Sequence, residues 1–235
     1  MPPTPVATIG NRLLAALPRK DSQRFAADCK PIYLTFGESL AEPGERIRHV
    51  YFPTESFISL TTPSDRGTTL EVGLIGDEGM LGISLLLGVN VSPLRALVQG
   101  AGPALRMNAA SFNRELEQNQ VLERVIKRYV YVLLSQIAQT AACTHFHQVE
   151  ARLARWLLMT HDRAHSDSFH VTQEFLAYML GVRRVGVTKA ASALKRRKLI
   201  HYSRGAITIL DRSGLEAATC DCYAIDRTTY ARVMG

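Results

Sequence analysis

Basic side chains crowd the one stretch of this chain whose residue types could carry directed chemistry. Between Val171 and Arg212 stand nine Lys and Arg residues (Arg183, Arg184, Lys189, Lys195, Arg196, Arg197, Lys198, Arg204 and Arg212) against Glu174 and Asp211 alone. From Met1 to His145 the count is 14 Lys and Arg against 13 Asp and Glu, so the formal net charge of +7 is concentrated in the later segment. A cation that neutralises a phosphate releases a condensed counterion, which makes a basic stripe the electrostatic footprint of a nucleic-acid-binding protein. Arg184 could donate two hydrogen bonds to a guanine edge, while Lys189 and Thr188 offer further donors. The candidate DNA contacts are therefore Thr172, Gln173, Arg183, Arg184, Val185, Thr188, Lys189 and Arg204.

A charge run alone is usually a solvated surface, and Lys195 to Lys198 by itself would mean no more than that. Its meaning comes from the elements that position it. Thr172 can cap a helix carrying Phe175, Leu176, Met179 and Leu180 at helical spacing. Gly181 ends that helix, because glycine takes the left-handed conformation a sharp turn needs. A second helix, Arg183 to Lys198, buries Val187, Ala190, Ala191 and Leu194 and turns Arg184, Val185, Thr188 and Lys189 outward. Leu199 to Ser203 and Ala206 to Leu210 then flank Arg204-Gly205 as a hairpin, the wing. Helix, glycine turn, basic helix and wing predict a winged helix-turn-helix directed at double-stranded DNA. The alternative is a winged-helix module that docks RNA or a protein partner through the same face; a palindromic duplex site separates the two.

Other chemistry-bearing residues point to less. Cys220-Asp221-Cys222 offers two thiols, which do not complete a four-ligand site, so the pair is assigned a structural or incidental role and no metal ligand is predicted. Cys29 and Cys143 are scattered, as in a chain kept in a reducing cytoplasm. His161 and His165 share a helix face where positive charge suits the carbonyl end of the dipole, whereas His145 and His147, two apart, diverge on a helix. Glycines at 73, 76, 79 and 82 read as turns in a sheet. There is no GxSxG elbow, Walker loop, GxGxxG after a strand or HExxH, so an enzyme is not predicted.

The 235 residues, 46% hydrophobic and without an apolar run of membrane-spanning length, suit one or two cores and no membrane partner. The first residues carry no charged leader and are read as a frayed lead followed by a helix from Gly10 to Leu17. Short segments, Ile32 to Leu34, His49 to Phe52, Phe57 to Thr61, Leu70 to Ile75 and Ala96 to Gln99, predict an antiparallel sheet. Asn108 can cap a helix through Leu116. A longer one, from about Gln120 to Cys143, is apolar nearly all round and therefore needs two partners. One is the sheet. The other is the same helix of a second chain, met through Leu122, Val125, Tyr129, Val132 and Leu133.

The order of a β-roll, a long helix, VEARLARWLL at Val149 to Leu158, VTQEFLAYMLGVRR and a GAITIL wing resembles the Crp/Fnr family of bacterial transcription regulators across nearly the whole chain. The resemblance implies an α+β fold: an N-terminal antiparallel β-roll, a long dimerisation helix and a C-terminal winged helix-turn-helix. The implied parts are a cyclic-nucleotide-binding-like effector domain over 1–118, a dimerisation helix over 119–145 and a DNA-binding domain over 146–235. It further implies a homodimer on an inverted-repeat site, with RNA polymerase as a partner if the protein activates. Base reading falls to Arg184, Val185 and Lys189, and Val185 cannot accept a hydrogen bond from cytosine as the acidic residue often found there does. In the effector turn, Gly79-Met80-Leu81-Gly82 puts a thioether where members that bind cyclic AMP have a glutamate. Downstream, Leu94 occupies the arginine position, with Arg95 and Ala96 beside it. A phosphate without a paired cation loses its charge-assisted bonds, so a degenerate pocket and no cyclic-nucleotide cofactor are expected. The cysteine cluster of iron-sulfur members is missing, since only Cys29 precedes Cys143, and no residue is singled out as a haem ligand.

Overall fold

The computed structural model describes residues 10–63, 69–203 and 205–235. The helix expected over Gly10 to Leu17 forms as the shorter α1 (Arg12–Ala15), and a further helix, α2 (Arg19–Ala27), follows beyond the expected range. Pro18 separates them, because it lacks the N–H that a continuous helix would use.

Among the described residues seven strands follow: β1 (Lys30–Leu34), β2 (Ser39–Ala41), β3 (His49–Pro53), β4 (Phe57–Pro63), β5 (Thr69–Ile75), β6 (Arg95–Gly100) and β7 (Gly102–Asn108). They form two antiparallel sheets, ordered β1-β7-β3 and β2-β6-β4-β5. Leu34, Ile58, Ile75, Ala96, Val98 and Ala104 fill one core of this part, and Phe25, Phe52 and Phe112 stack edge-on in a second. β7 is covered on both faces: Ala104 enters one core and Met107, three residues on and so on the opposite face, enters the other.

Asn108 accepts from the amide of Ser111 at 2.8 Å and so starts α3 (Ala109–Gln118), as its position before an apolar-periodic run predicts. Asn119 caps the next helix, α4 (Gln120–Phe146), through the amides of Val121 and Leu122. This helix runs past its expected end at Cys143 to Phe146. Next come α5 (Val149–Ala164), β8 (Ser168–His170), α6 (Gln173–Leu180), α7 (Arg184–Arg196), β9 (Ile200–Ser203) and β10 (Ala206–Ile209). The chain closes with α8 (Arg212–Ala218) and α9 (Cys222–Met234), and α9 runs back against α4.

The α5, α6 and α7 core is built from Leu153, Trp156, Leu157, Leu176, Leu180, Val187, Ala191 and Leu194, joined by Ile200 and Ile207 of the wing strands. Truncating a fully buried leucine such as Leu157 to alanine costs roughly 2–5 kcal/mol in cores of this kind. Phe57 of β4 and Leu74 of β5 belong to the same cluster, so the roll and the C-terminal helices share apolar packing.

One expectation is corrected by α4. Leu122, Val125, Tyr129, Val132 and Leu133, assigned to a dimer seam from sequence, are each 9% exposed or less within the single chain. Leu122, Val125, Tyr129 and Leu133 pack into the cores beneath the sheets, and Val132 faces the cavity that α4 shares with Tyr223 and Tyr230 of α9. The apolar residues that α4 leaves open are Val121, Tyr131, Leu134, Ala138, Ala141 and Phe146, and the middle four fall on one stripe. The helix is apolar all round, so periodicity alone could not say which face meets the roll.

Candidate nucleic-acid interface and effector cavity

The turn between α6 and α7 forms as its residues dictate. Thr172 Oγ1 accepts from the amide of Phe175 at 3.1 Å, and Gly181 closes α6 at a φ of 60°. Val182 then bonds back to the carbonyl of Ala177 at 3.0 Å, and Arg183 takes an extended conformation as the residue before α7. Along α7 the buried face is Val187, Ala190, Ala191 and Leu194. Arg183, Arg184, Val185, Thr188 and Lys189 lie on the open side, with Val185 at 59% exposure. Thr188 Oγ1 donates to Gln173 Oε1 at 2.8 Å, which ties the N-terminal half of α7 to the start of α6.

The basic residues divide into two groups. Lys195 donates to the carbonyl of Tyr202 at 3.2 Å, and Arg197 pairs with Glu150 at 3.1 Å, so both brace the fold. Among the described residues, no carboxylate lies within ion-pair distance of Arg183, Arg184 or Lys189. These three cations stand at the N-terminal half of a helix whose free amides also favour anions.

A depression of about 440 Å³ separates this end of α7 from the wing, lined by His170, Thr172, Gln173, Arg184, Tyr202, Ser203 and Gly205. His170, Tyr202 and Ser203 were missed from sequence. They reach the site only through the strand order β8-β10-β9, in which Ala206 stands opposite both His170 and Ser203. Gly205 sits at a φ of 78° in the hairpin turn, a conformation glycine adopts at little cost. Arg204, expected at the wing tip, lies outside the described residues.

The roll holds a separate cavity of about 430 Å³ against α4. Leu40, Leu60, Ile75, Met80, Leu133 and Ile137 make its walls largely apolar, with Arg46, Arg48 and His49 also on its lining. Of the six residues assigned to an effector pocket from sequence, Met80, Leu81 and Gly82 line it. The other three do not. Gly79 packs against Tyr129, Arg95 is paired with Glu42 at 2.8 Å, and Ala96 is buried within β6. Arg95, next to the arginine position that Leu94 occupies, is therefore held at the surface by a carboxylate. Burial lowers the pKa of His49, helped by the nearby Arg106 and Arg48, which disfavours a further cation at that rim.

Residues 151–218 match the Crp-like helix-turn-helix domain. In fold the chain is similar to FixK2 of Bradyrhizobium japonicum, at 14% identity and a TM-score of 0.69 over 82% of this chain and 98% of that one. It is similar to the c-di-GMP responsive global regulator CLP of Xanthomonas campestris, at 15% identity and a TM-score of 0.66 over 82% of this chain and 99% of that one. A CRP-family transcriptional regulator of Thermus thermophilus gives 18% identity and a TM-score of 0.66 over 80% and 95% of the two chains. No curated protein matches the chain in sequence. The chain thus carries a Crp-like helix-turn-helix domain within an α+β fold that it shares with these solved structures.

Proposed function

We propose that this protein is a homodimeric, sequence-specific DNA-binding transcription regulator whose α7 enters the major groove. The observation that carries the reading is the row Arg183, Arg184 and Lys189, open to solvent and free of ion pairs among the described residues, beside the depression that runs to the wing. Arg184 and Lys189 reach base edges, while Thr172, Gln173 and the wing meet the backbone, a division typical of this motif. Functional units over 1–118, 119–145 and 146–235 follow from the same reading.

The homodimer forms along α4 through Tyr131, Leu134, Ala138 and Ala141. These positions recur at spacings of three and four, the period of a two-helix seam. Tyr131 and Leu134 are 54% and 60% exposed, large apolar side chains that a single chain leaves in water.

Effector control runs through the apolar cavity of the roll. Leu133, Leu134 and Ile137 of α4 line it, so an occupant would bear on the helix that carries the seam. Met80 at the position of the ribose-binding acceptor, and Arg95 paired with Glu42, argue against cyclic AMP as that occupant.

The test is selection of bound duplexes from a random library by the purified protein, with and without cyclic AMP. An inverted repeat enriched equally in both arms is the expected result. Enrichment only with the nucleotide overturns the pocket reading, and absence of any enriched duplex overturns the DNA-binding one.

A further inference from the structure

Cys220 and Cys222, two thiols without partners in the sequence, are joined in the structure by two side chains from the other end of the C-terminal half. Cys143, near the end of α4, has its Sγ 3.5 Å from Cys220 Sγ. His147 Nδ1 lies 3.5 Å from Cys222 Sγ. All four ligand atoms fall within 4.8 Å of one another.

The backbone explains why sequence spacing hid this. On a continuous helix His147 would diverge from its neighbours, but α4 stops at Phe146 and His147 takes an extended conformation at a φ of −113°. The imidazole thereby leaves the helical path and meets the loop between α8 and α9. Cys220 lies outside α9, ahead of its N-cap Asp221, while Cys222 is the first residue of the helix, so the two thiols are not bound to diverge as helical neighbours two apart would, and both fall within the same group of ligand atoms.

We propose that Cys143, His147, Cys220 and Cys222 bind one zinc ion. Three thiolates and one imidazole are a structural zinc set, and zinc favours the tetrahedral, closed shell that four such ligands complete. A tetrahedron with metal–sulfur bonds of about 2.3 Å has sulfur–sulfur edges of roughly 3.8 Å, near the 3.5 Å between Cys143 and Cys220, and its sulfur–nitrogen edges are shorter, as between Cys222 and His147. Binding replaces each thiol proton by a bond to the metal and releases the protons to solvent, with no change of oxidation state.

The surroundings suit the charge. Three thiolates around a dication leave one net negative charge, and the guanidiniums of Arg152 and Arg155 are near enough to Cys143 to interact with it electrostatically. Gln139 donates through Nε2 to Cys222 Sγ at 3.0 Å, the kind of outer hydrogen bond that orients a thiolate ligand. The ion would fasten the end of α4 to the α8–α9 turn, beside the joint where α4 gives way to α5. That joint links the proposed dimer seam to the proposed DNA-reading helices, so zinc would fix their relative position.

Full-length protein is purified under reducing conditions without chelator and its metal content measured by mass spectrometry, then stripped and titrated with cobalt(II) as a spectroscopic probe. One zinc per chain is expected, with the intense visible bands of tetrahedral thiolate-bound cobalt that zinc then bleaches. The double variant Cys220→Ser, Cys222→Ser loses the ion and the bands, whereas Cys29→Ala keeps both. Gln139→Ala weakens zinc binding by about 10- to 100-fold, the usual effect of removing an outer-shell partner. Weak octahedral cobalt bands in the wild-type protein, an iron chromophore, or a metal-free protein with a Cys143–Cys220 disulfide would each overturn the proposal. The wild-type cobalt spectrum decides the matter even if a variant fails to fold.

Discussion

Arg163 of α5 donates through Nε to Glu78 Oε1 at 2.8 Å, and both side chains are nearly buried. The pair joins the loop that leads into Met80 of the effector cavity to the helix that precedes the DNA-reading elements. Glu78 Oε2 also accepts from the amide of Gly76 at 3.1 Å, and Arg163 Nη1 donates to the carbonyl of Met159 at 2.8 Å. A side chain at position 76 would place its Cβ 2.7 Å from Arg163 Cγ, which is why glycine stands there.

Removing one member of that pair should cost far more than removing both. Arg163→Met leaves Glu78 without its partner and is expected to lower stability by about 3–5 kcal/mol in urea titrations. The double variant Arg163→Met, Glu78→Met should recover much of the loss, since well-packed apolar side chains often replace a buried pair without penalty. A double variant as unstable as the single one would show that the pair's worth lies in its wider hydrogen bonds.

Arg184→Ala should reduce discrimination at one base pair by roughly 1–3 kcal/mol while leaving nonspecific affinity nearly intact. Substituting Lys195 or Arg197 would not be informative about DNA, since both are engaged within the fold. Competition assays with single-base variants of the selected site are the check. Equal weakening on all sequences would make Arg184 a backbone contact.

Adjacent residues of α4 should behave in opposite ways. Leu134→Glu, at an exposed position, is expected to convert dimers to monomers in analytical ultracentrifugation with little change in the melting temperature of the monomer. Leu133→Ala, at a position 4% exposed, should instead cost roughly 2–5 kcal/mol of folding stability. Dimers that survive Leu134→Glu would place the seam elsewhere.

Glu71 supplies a pH test. It is buried, and burial pushes its carboxyl up to about 7 even though Ser59 donates to it at 2.6 Å. The folded chain therefore holds a proton there that the unfolded chain gives up nearer 4.5. This contribution to stability is complete below about 4.5, declines as the pH rises, and is lost above about 7. The decline amounts to roughly 3 kcal/mol if the shift is expressed in full. Glu71→Gln should flatten that part of the stability profile measured by denaturant titration across this pH range. An unchanged profile would mean that the carboxylate is ionised in place.

Local signals decided much of this protein. Thr172, Gly181 and the spacing of Leu176, Leu180, Val187 and Leu194 specify two helices and the turn between them, because caps, left-handed glycine and helical periodicity act over one or two turns. The strand segments of the roll, the cap at Asn108 and the outward face of α7 were legible for the same reason. Contacts between distant segments were not. The apolar girth of α4 left its two faces indistinguishable until the sheets and α9 covered Leu122, Val125, Tyr129, Val132 and Leu133, and nothing local pairs Arg95 with Glu42, 53 residues away. Cys143 and His147 lie 77 and 75 residues from the thiols they meet, and only the return of α9 along α4 brings them together. Sequence determines which residues can cap, turn and bury; tertiary structure decides which face is spent on the chain's own core and which side chains, remote along the chain, converge on one point.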